Sequence, residues 1–537
     1  MQLNAALDRG AWEAAGVTLP RFDIDAMRRQ TLQAPCWIHF GAGNIFRGFI
    51  ARFQQTLLNS GEAMCGVIAA ESFDSDIIDK IYKPYDNLSL LVSLKSDGSN
   101  SREVIGSIAD SINADFRDVG EMEKLKALFR QPSLQMVSFT ITEKGYALHD
   151  MQGGLLPAVE NDIRQGPAAP VHTMSVVTAL MLERYQNGAA PVALVSMDNC
   201  SRNGERLINS VLLIAEAWEK SGHAAQGFCA YLTDENKVAF PWTMIDKITP
   251  RPSEIIQAQL ENDGIEGMSA LVTGKNTFIA PFVNAEVPEY LVVEDTFPNG
   301  RPPLEHAGVY FTDRNTVNDT ERMKVMTCLN PLHTALAIFG CLLGYTRISD
   351  EMKDEDLKRL VRRIGYSEGM PVVTDPKIID PSAFINEVIE ERFSNPFIPD
   401  TPQRIATDTS QKIVIRFGET IKAYIARSDL DVKSLVGIPL AIAAWLRYLL
   451  AVDDEGRPFE ASSDPLLPQL QKQLQGIRFG APESCGGQLT PILSNPLLFA
   501  ADLVSCGLAA KIEAMFVEML AGPGAVRRTL KKYNEMS

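Results

Sequence analysis

Two hydrophobic rhythms divide this chain. In its first part, short apolar or β-branched runs at 36–40, 66–70, 136–142 and 191–197 alternate with longer stretches of helical spacing. Unbroken apolar runs suit strands covered on both faces of a parallel sheet. Segment 44–58 places Ile45, Phe49, Phe53 and Leu57 on one helical face, and 171–186 also reads as a helix. Strand alternating with helix predicts a doubly wound α/β sheet. After about residue 310 the strand signals fade, and segments 334–345, 351–364, 381–393, 411–427, 438–451 and 500–521 all read as helices. The prediction is an α/β Rossmann-type domain over 1–312, with 1–35 as a surface extension, followed by a mainly α-helical domain over 313–537. A length of 537 residues also calls for more than one core.

Charge narrows the choice of partners. The formal net charge of −16 and a pI near 5.0 exclude nucleic acid and anionic membrane surfaces on electrostatic grounds. Any pocket that takes an anion must then gather Arg or Lys locally. The eight cysteines include no Cys-x-x-Cys pair, which predicts reduced thiols and a cytoplasmic protein. Residues 1–9 lack the apolar stretch of a signal peptide. The most apolar candidate for a membrane span, 436–452, contains Arg447 and is short for a bilayer, so it reads as a buried helix. Six scattered histidines give no zinc-ligand spacing, and no metal is expected.

The clearest turn signal is Gly41-Ala42-Gly43-Asn44-Ile45-Phe46-Arg47-Gly48, between the first strand and the first helix. That setting suits a dinucleotide pyrophosphate. Gly41 allows the tight turn and Gly43 lets the backbone approach the phosphates. The N–H groups of Asn44, Ile45 and Phe46 open the helix toward the anion, and Arg47 adds a charge. The place of the usual third glycine is taken by Phe46. The second strand ends at Glu71, whose carboxylate can accept from an adenosine ribose and repel a 2′-phosphate, favouring NAD over NADP. Asp74 and Asp76 compete for that role, and a solvated strand-end carboxylate is the plain alternative.

Segment 324–333, Lys-Val-Met-Thr-Cys-Leu-Asn-Pro-Leu-His, stands ahead of the apolar run 334–345. A lysine can take a proton when burial lowers its pKa. An asparagine can hydrogen-bond a developing oxyanion, and a histidine can orient either. These are the parts of a metal-free alcohol dehydrogenase. The plain alternative is a polar helix start before a core helix.

In order along the chain come Gly-x-Gly-x-x-x-Arg at 41–47, Thr142-Glu143-Lys144-Gly145-Tyr146 and Ser196-Met197-Asp198-Asn199. Met244-Ile245-Asp246-Lys247-Ile248-Thr249-Pro250, the Lys324/Asn330/His333 set and Glu391-Arg392-Phe393-Ser394-Asn395-Pro396 follow. In this order and spacing they resemble the polyol-specific long-chain dehydrogenases, a family that includes mannitol 2-dehydrogenase and the hexuronate reductases. The resemblance covers most of the chain. It implies that Lys324 is the general base for alcohol oxidation and the acid for ketone reduction. It implies that Asn199 and Asn330 polarise the carbonyl oxygen, each worth roughly 3 kcal/mol, and that His333 holds the substrate oxygen or positions Lys324. Asp246 would bind a substrate hydroxyl. Arg392 would contact the sugar end remote from the reacting carbon, with Lys412 as the weaker candidate. Thr142 and Glu143 would line the nicotinamide end. Plain alternatives stay open: an ion pair of Arg392 with Glu390 or Glu391, an ion pair of Glu143 with Lys144, and a structural role for Asp198.

Two features depart from the family pattern. The family's lysine stands five residues before its asparagine, whereas Lys324 stands six before Asn330. One residue turns a helical side chain by roughly 100 degrees, so either Lys324 precedes the helix or the helix start bulges. Pro331-Leu332 replaces small polar residues, and Pro331 suits a first helical turn. The resemblance implies a metal-independent, NAD(H)-linked dehydrogenase with its site between the domains, acting on an open-chain hexose derivative. Arg392 and Lys412 in so acidic a protein suit a carboxylate, and the Thr-Glu-Lys-Gly-Tyr segment is closer to the fructuronate reductases. The expected reaction is interconversion of D-fructuronate and D-mannonate. Mannitol 2-dehydrogenase and tagaturonate reductase are the alternatives, and a non-catalytic NAD-binding protein is the competing class. The expected partner is a small sugar acid or polyol, and the oligomeric state is open, a monomer included.

Overall fold

In the computed structural model, residues 1–4 and 6–535 are described. They form two compact units, one of Met1–Lys95 with Ser99–Asn318 and one of Ser96–Gly98 with the chain from Asp319 onward. The expected boundary at 312/313 lies just before the helix within which the units divide. The excursion of Ser96–Gly98 carries no sequence signal.

The core of the first unit is a six-stranded parallel sheet. Its strands are β1 (Trp37–Phe40), β2 (Val67–Glu71), β3 (Ile108–Asn113), β4 (Met136–Phe139), β5 (Val192–Ser196) and β6 (Val238–Ala239), in the spatial order 3-2-1-4-5-6. That order is the doubly wound dinucleotide-binding topology, with its crevice at the carboxyl ends of the strands where the order reverses. Every residue of β1, β2, β4 and β5 is buried, which is why each reads as an unbroken apolar run. Period-two alternation sorts the side chains by face. Ile38, Phe40, Ile68, Ala70, Val137 and Phe139 enter one core, while Trp37, Val67, Ala69, Met136 and Val195 enter the other. Helix α1 (Ala51–Ser60) covers the second face, and α2 (Val119–Arg130), α3 (Thr173–Gln186) and α4 (Asn203–Lys220) cover the first.

Beside a two-stranded ribbon, Leu271–Val272 with Phe278–Ile279, two smaller sheets in this unit lie outside the sequence reading. One joins Val17–Thr18, Asn100–Ile105, Ser89–Leu94 and Phe282–Glu286, and the other joins Thr243–Asp246, Tyr290–Glu294 and Tyr310–Thr312. Their strands are short, and Ser89–Leu94 finds its parallel partner Phe282–Glu286 far along the chain, so no local pattern marks the pairing. This partner strand matters for the glycine-rich turn. A Cβ on Gly48 would lie 2.7 Å from Val283 Cγ1. Gly48, two residues beyond Phe46, therefore gives the close approach that the missing third glycine would have given.

The second unit is helical. Its elements include α5 (Arg314–Met323), α6 (Asn330–Leu343), α7 (Glu355–Arg362), α8 (Pro381–Glu387), α9 (Thr409–Ile413), α10 (Glu419–Ala426), α11 (Gly437–Tyr448) and α12 (Ala509–Met519). The predicted helix 411–427 is α9 and α10 joined by a π-helical turn, Val414–Gly418, and the predicted 381–393 is α8 followed by a π turn, Val388–Arg392. The run Arg314–Leu343 is long and apolar enough to cross a membrane by length and composition, yet 78% of its apolar window is buried inside the protein. Helix α11, the other apolar candidate, is buried at every residue. Its Arg447 donates to the carbonyls of Val452, Asp453 and Met519. At its start the Glu368 carboxylate accepts the N–H groups of Val436, Gly437 and Ile438 at 2.6–2.8 Å, meeting the orphan donors of a buried helix end.

Arg184, in the last turn of α3, shows the same economy in the first unit. Its fully buried guanidinium donates to the carbonyls of Phe129, Gln131, Leu134, Ala190 and Pro191 at 2.6–3.2 Å. It ties the end of α2 to the chain entering β4 and β5. Replacing Arg184 by Met should strand several of these carbonyls and cost on the order of 3 kcal/mol. Urea denaturation of the variant measures that loss.

Candidate active site

The first unit gathers its polar groups at the carboxyl ends of β1, β4 and β5. After β1 the chain turns at Gly41 with φ of +100°, and a Cβ there would lie 2.2 Å from the Thr140 carbonyl oxygen, so only glycine fits. Gly41 N–H donates to the Ala70 carbonyl at 3.0 Å. The Tyr82 hydroxyl donates to the Ala42 carbonyl at 2.9 Å. A Cβ on Gly43 would meet nothing in the protein within 4 Å. The turn is thus closed on the protein side and open on the other, where a phosphate needs backbone contact. The helix then begins at Asn44 and continues through a π turn, Phe46–Ile50, into α1. These features fit a dinucleotide pyrophosphate.

A cleft of about 310 Å³ opens beside this turn, lined among others by Gly43, Asn44, Ile45, Thr142, Asn199 and Lys247. Its far wall depends on Asp198. The N–H groups of Ile141 and Thr142 each donate to that carboxylate at 2.9 Å, and the Tyr146 hydroxyl at 2.6 Å. Thr142 is a β-branched residue at φ of +62°, a conformation costing of order 1–3 kcal/mol. Burial lifts the Asp198 carboxyl above its ordinary range, against the pull of those donors. Asp198 is thus a structural carboxylate that holds a strained turn against the cleft.

Several expected cofactor residues have other duties. Phe46 is buried and stacks on His39, with ring centroids 4.2 Å apart. Arg47 is fully buried, donating to the Ala280 carbonyl at 2.7 Å and to Asn44 Oδ1 at 2.9 Å. It therefore positions Asn44 rather than offering its charge at the surface of the cleft. Glu71 is neither solvated nor idle. Its Oε2 accepts the Ala42 N–H at 2.9 Å, and its Oε1 accepts those of Phe73 and Asp74. Burial raises its pKa all the same. The carboxylate shapes the glycine-rich turn. Of its competitors, Asp74 accepts from the Thr273 hydroxyl at 2.5 Å and Asp76 pairs with Lys80 at 2.9 Å. Glu143, expected at the nicotinamide end, points away from the cleft and pairs with Arg206 at 2.8 Å, not with Lys144. Glu143 is carried by the short helix Thr142–Tyr146, which opens at the positive φ of Thr142.

Asp246 is buried at the end of its strand, between Ile245 and Lys247, both of which line the cleft. Alternation puts Asp246 on the opposite face, so the structure does not bring it into this cleft. Lys247 is a residue that the sequence reading passed over. Its buried ammonium donates to the Glu286 carbonyl at 2.6 Å and pairs with Glu289 at 2.9 Å, and burial pulls its pKa down.

In the second unit the six-residue interval from Lys324 to Asn330 has a physical explanation. Residues Lys324–Cys328 form a π turn, and Leu329 N–H donates to the Lys324 carbonyl at 3.0 Å. A π turn encloses one more residue than an α turn, so the inserted residue is absorbed between α5 and α6. The bulged alternative is the one realised. Pro331 takes the first turn of α6, where its missing N–H costs nothing. In that turn every residue from Asn330 to Thr334 is buried except Asn330 and His333, which lie three apart on one face. The Lys324 side chain is itself buried.

His333 Nε2 lies 3.4 Å from Asp400 Oδ2, an ion-pair distance without hydrogen-bond geometry, and finds no hydrogen-bond partner among the described residues. The ring packs at 5.0 Å against Phe393. Burial, aided by the nearby cations Arg416, Arg404 and Arg392 and opposed by Asp400, pulls its pKa down to about 4. The imidazole is therefore neutral at ordinary pH. Arg404 pairs with Asp400. Arg392 is buried at the end of its π turn. Glu390 pairs with Lys358 and Arg362, and Glu391 accepts from Ser96. Lys412 donates to the Thr407 carbonyl at 2.6 Å. Arg416, absent from the sequence reading, donates to the Thr334 hydroxyl at 2.5 Å. Among the described residues no three His, Cys, Asp or Glu side chains gather as a metal ligand set.

The His333 environment has a pH signature. Folded His333 stays neutral down to about pH 4, while an unfolded histidine titrates near 6.5. The unfolded chain gains its proton first, so stability is full above about pH 6.5 and is lost as pH falls toward 4. Replacing His333 by Gln should remove roughly 2–3 kcal/mol of that decline at about pH 4.5. Urea denaturation of both proteins at pH 7 and pH 4.5 measures it.

This geometry has close relatives. Residues 36–306 match the mannitol dehydrogenase Rossmann domain, and residues 316–481 match the mannitol dehydrogenase C-terminal domain. A D-mannonate oxidoreductase of Thermotoga maritima is 55% identical over 99% of this chain and 99% of its own length. A polyol:NADP oxidoreductase of Gluconobacter oxydans is 30% identical over 86% of this chain and 88% of its own. Among solved structures, Pseudomonas fluorescens mannitol 2-dehydrogenase, in a ternary complex with NAD and D-mannitol, aligns with a TM-score of 0.69 at 26% identity, covering 99% of both chains. A D-sorbitol dehydrogenase in substrate-free form aligns at 0.78 with 25% identity, covering 96% of this chain and 98% of its own. The chain belongs to the mannitol dehydrogenase family of oxidoreductases.

Proposed function

We propose that this protein is an NAD(H)-dependent reductase that interconverts D-fructuronate and D-mannonate. The observation that carries the substrate is the whole-length likeness to a D-mannonate oxidoreductase, at 55% identity. The arginines around His333 support it, because a protein of net charge −16 has gathered cations there. The glycine-rich turn, open at Gly43, and the NAD complex of a relative support the cofactor. Eight free cysteines are in keeping with a cytoplasmic protein.

The chemistry is addition of a hydride and a proton to a ketone, giving a secondary alcohol. A nicotinamide dinucleotide held at the glycine-rich turn supplies the hydride, or takes it in the reverse direction. Lys324 gives the proton to the carbonyl oxygen and recovers it when the alcohol is oxidised. Asn330 and Asn199 donate N–H groups to that oxygen as negative charge builds on it. Neutral His333 holds a substrate oxygen or positions Lys324 without adding charge. Arg392 serves the hydroxyls toward the remote end of the sugar. A second reading, oxidation of D-mannitol, draws on the mannitol 2-dehydrogenases, one of which is 31% identical over 87% of this chain.

NADH oxidation by the purified protein, with D-fructuronate, D-tagaturonate and D-fructose offered side by side, tests the substrate. D-fructuronate is expected to be preferred, and a preference for D-fructose would move the reading to mannitol. Replacing Lys324 by Ala should lower kcat by roughly 10²–10⁴-fold while NADH binding, followed by its fluorescence, persists. Unchanged turnover would remove Lys324 from the acid/base role.

A further inference from the structure

We infer that Arg416 anchors the substrate carboxylate and so selects a hexuronate over a ketose. This deepens the fructuronate/mannonate reading and rests on it. Arg416 stands in the π turn Val414–Gly418. Among the described residues its guanidinium makes one hydrogen bond, to the hydroxyl of Thr334. Thr334 follows His333 directly, in the first turns of α6, so Arg416 lies beside the two partly exposed polar residues at the start of that helix, Asn330 and His333.

Two other cations of this unit, Lys412 and Arg404, are committed. The Lys412 ammonium is held by the Thr407 carbonyl, and Arg404 has Asp400 as its counter-charge. Arg416 has no such neutralisation. Burial alone pulls its pKa down to about 10. Arg527, by contrast, pairs with both Asp354 and Asp356 and is pushed up. A guanidinium with a single neutral acceptor leaves most of its fork unused. A carboxylate fills two parallel positions of that fork and supplies the missing charge. A hydroxymethyl group at the same carbon does neither, so the site discriminates by charge.

The experiment compares wild type with Arg416→Gln and Arg416→Lys on D-fructuronate and on D-fructose, which carries a hydroxymethyl in place of the carboxylate. Gln keeps a donor for Thr334 and removes the charge, whereas Lys keeps the charge and loses the fork. NADH titration and a melting curve confirm that each variant is folded. Arg416→Gln should raise KM for D-fructuronate on the order of 10²-fold, with kcat much less affected and the D-fructose reaction within a few-fold of wild type. Arg416→Lys should fall between, and it decides the matter by the same ratio if the Gln variant does not fold. Equal losses on both substrates, or no loss on either, overturn the assignment of Arg416 while leaving the substrate reading intact. A wild-type enzyme that turns over D-fructose but not D-fructuronate overturns the substrate reading, and the anchor with it.

Discussion

The first unit depends on satisfying backbone donors at the carboxyl edge of the sheet without closing the crevice there. Chain that leaves a buried strand must find partners for its N–H groups. Two carboxylates provide them from the protein side. Glu71, at the end of β2, binds the turn after β1, and Asp198, after β5, binds the turn after β4. Each reaches across to a neighbouring strand, so adjacent crests are cross-linked, and in both cases burial opposes the charge that the donors favour. The open side of Gly43 and the strained backbone of Thr142 are consequences of this bracing. Turns fixed from below present their other face to a ligand already ordered, so less conformational freedom is lost on binding.

The second unit solves a different problem with an irregular helix. Polar side chains must stand at one place on helices whose other faces are packed. The π turns do this. Lys324, Arg392 and Arg416 all sit in π-helical segments, as does Arg47 in the first unit. A single extra residue in a helical turn re-aims the residues after it without breaking the hydrogen-bonded rod, and such bulges recur at functional sites. The insertion between Lys324 and Asn330 is accommodated by the π turn Lys324–Cys328 without breaking the helical run.

Charge is organised on the same economy. Arg184 and Arg447 are caged by carbonyl oxygens, and Arg404 has a carboxylate. Burial, aided by the cations around His333, keeps its imidazole neutral. These cations stand together in a protein of net charge −16.

Much of this was legible in the chain itself. The unbroken runs in β1, β2, β4 and β5, the turn Gly41–Gly43 after β1 and the helical rhythm after residue 310 settled an α/β unit followed by a helical one. Hydrophobic period and turn chemistry are local properties, and they need no knowledge of distant partners. The order of the motifs was enough for the family. The features that the sequence could not disclose depended on contacts between distant segments. Gly48 replaces the third glycine because Val283 packs on it. Glu71 and Arg47 became braces because buried donors and acceptors lay within their reach. Glu143 is taken by Arg206, 63 residues on, while Asp198 holds the strained Thr142 beside it. Arg416 reaches a hydroxyl 82 residues earlier in the chain from a π turn that no helical periodicity reports. Periodicity assigns a residue to a face, but only packing decides what that face meets.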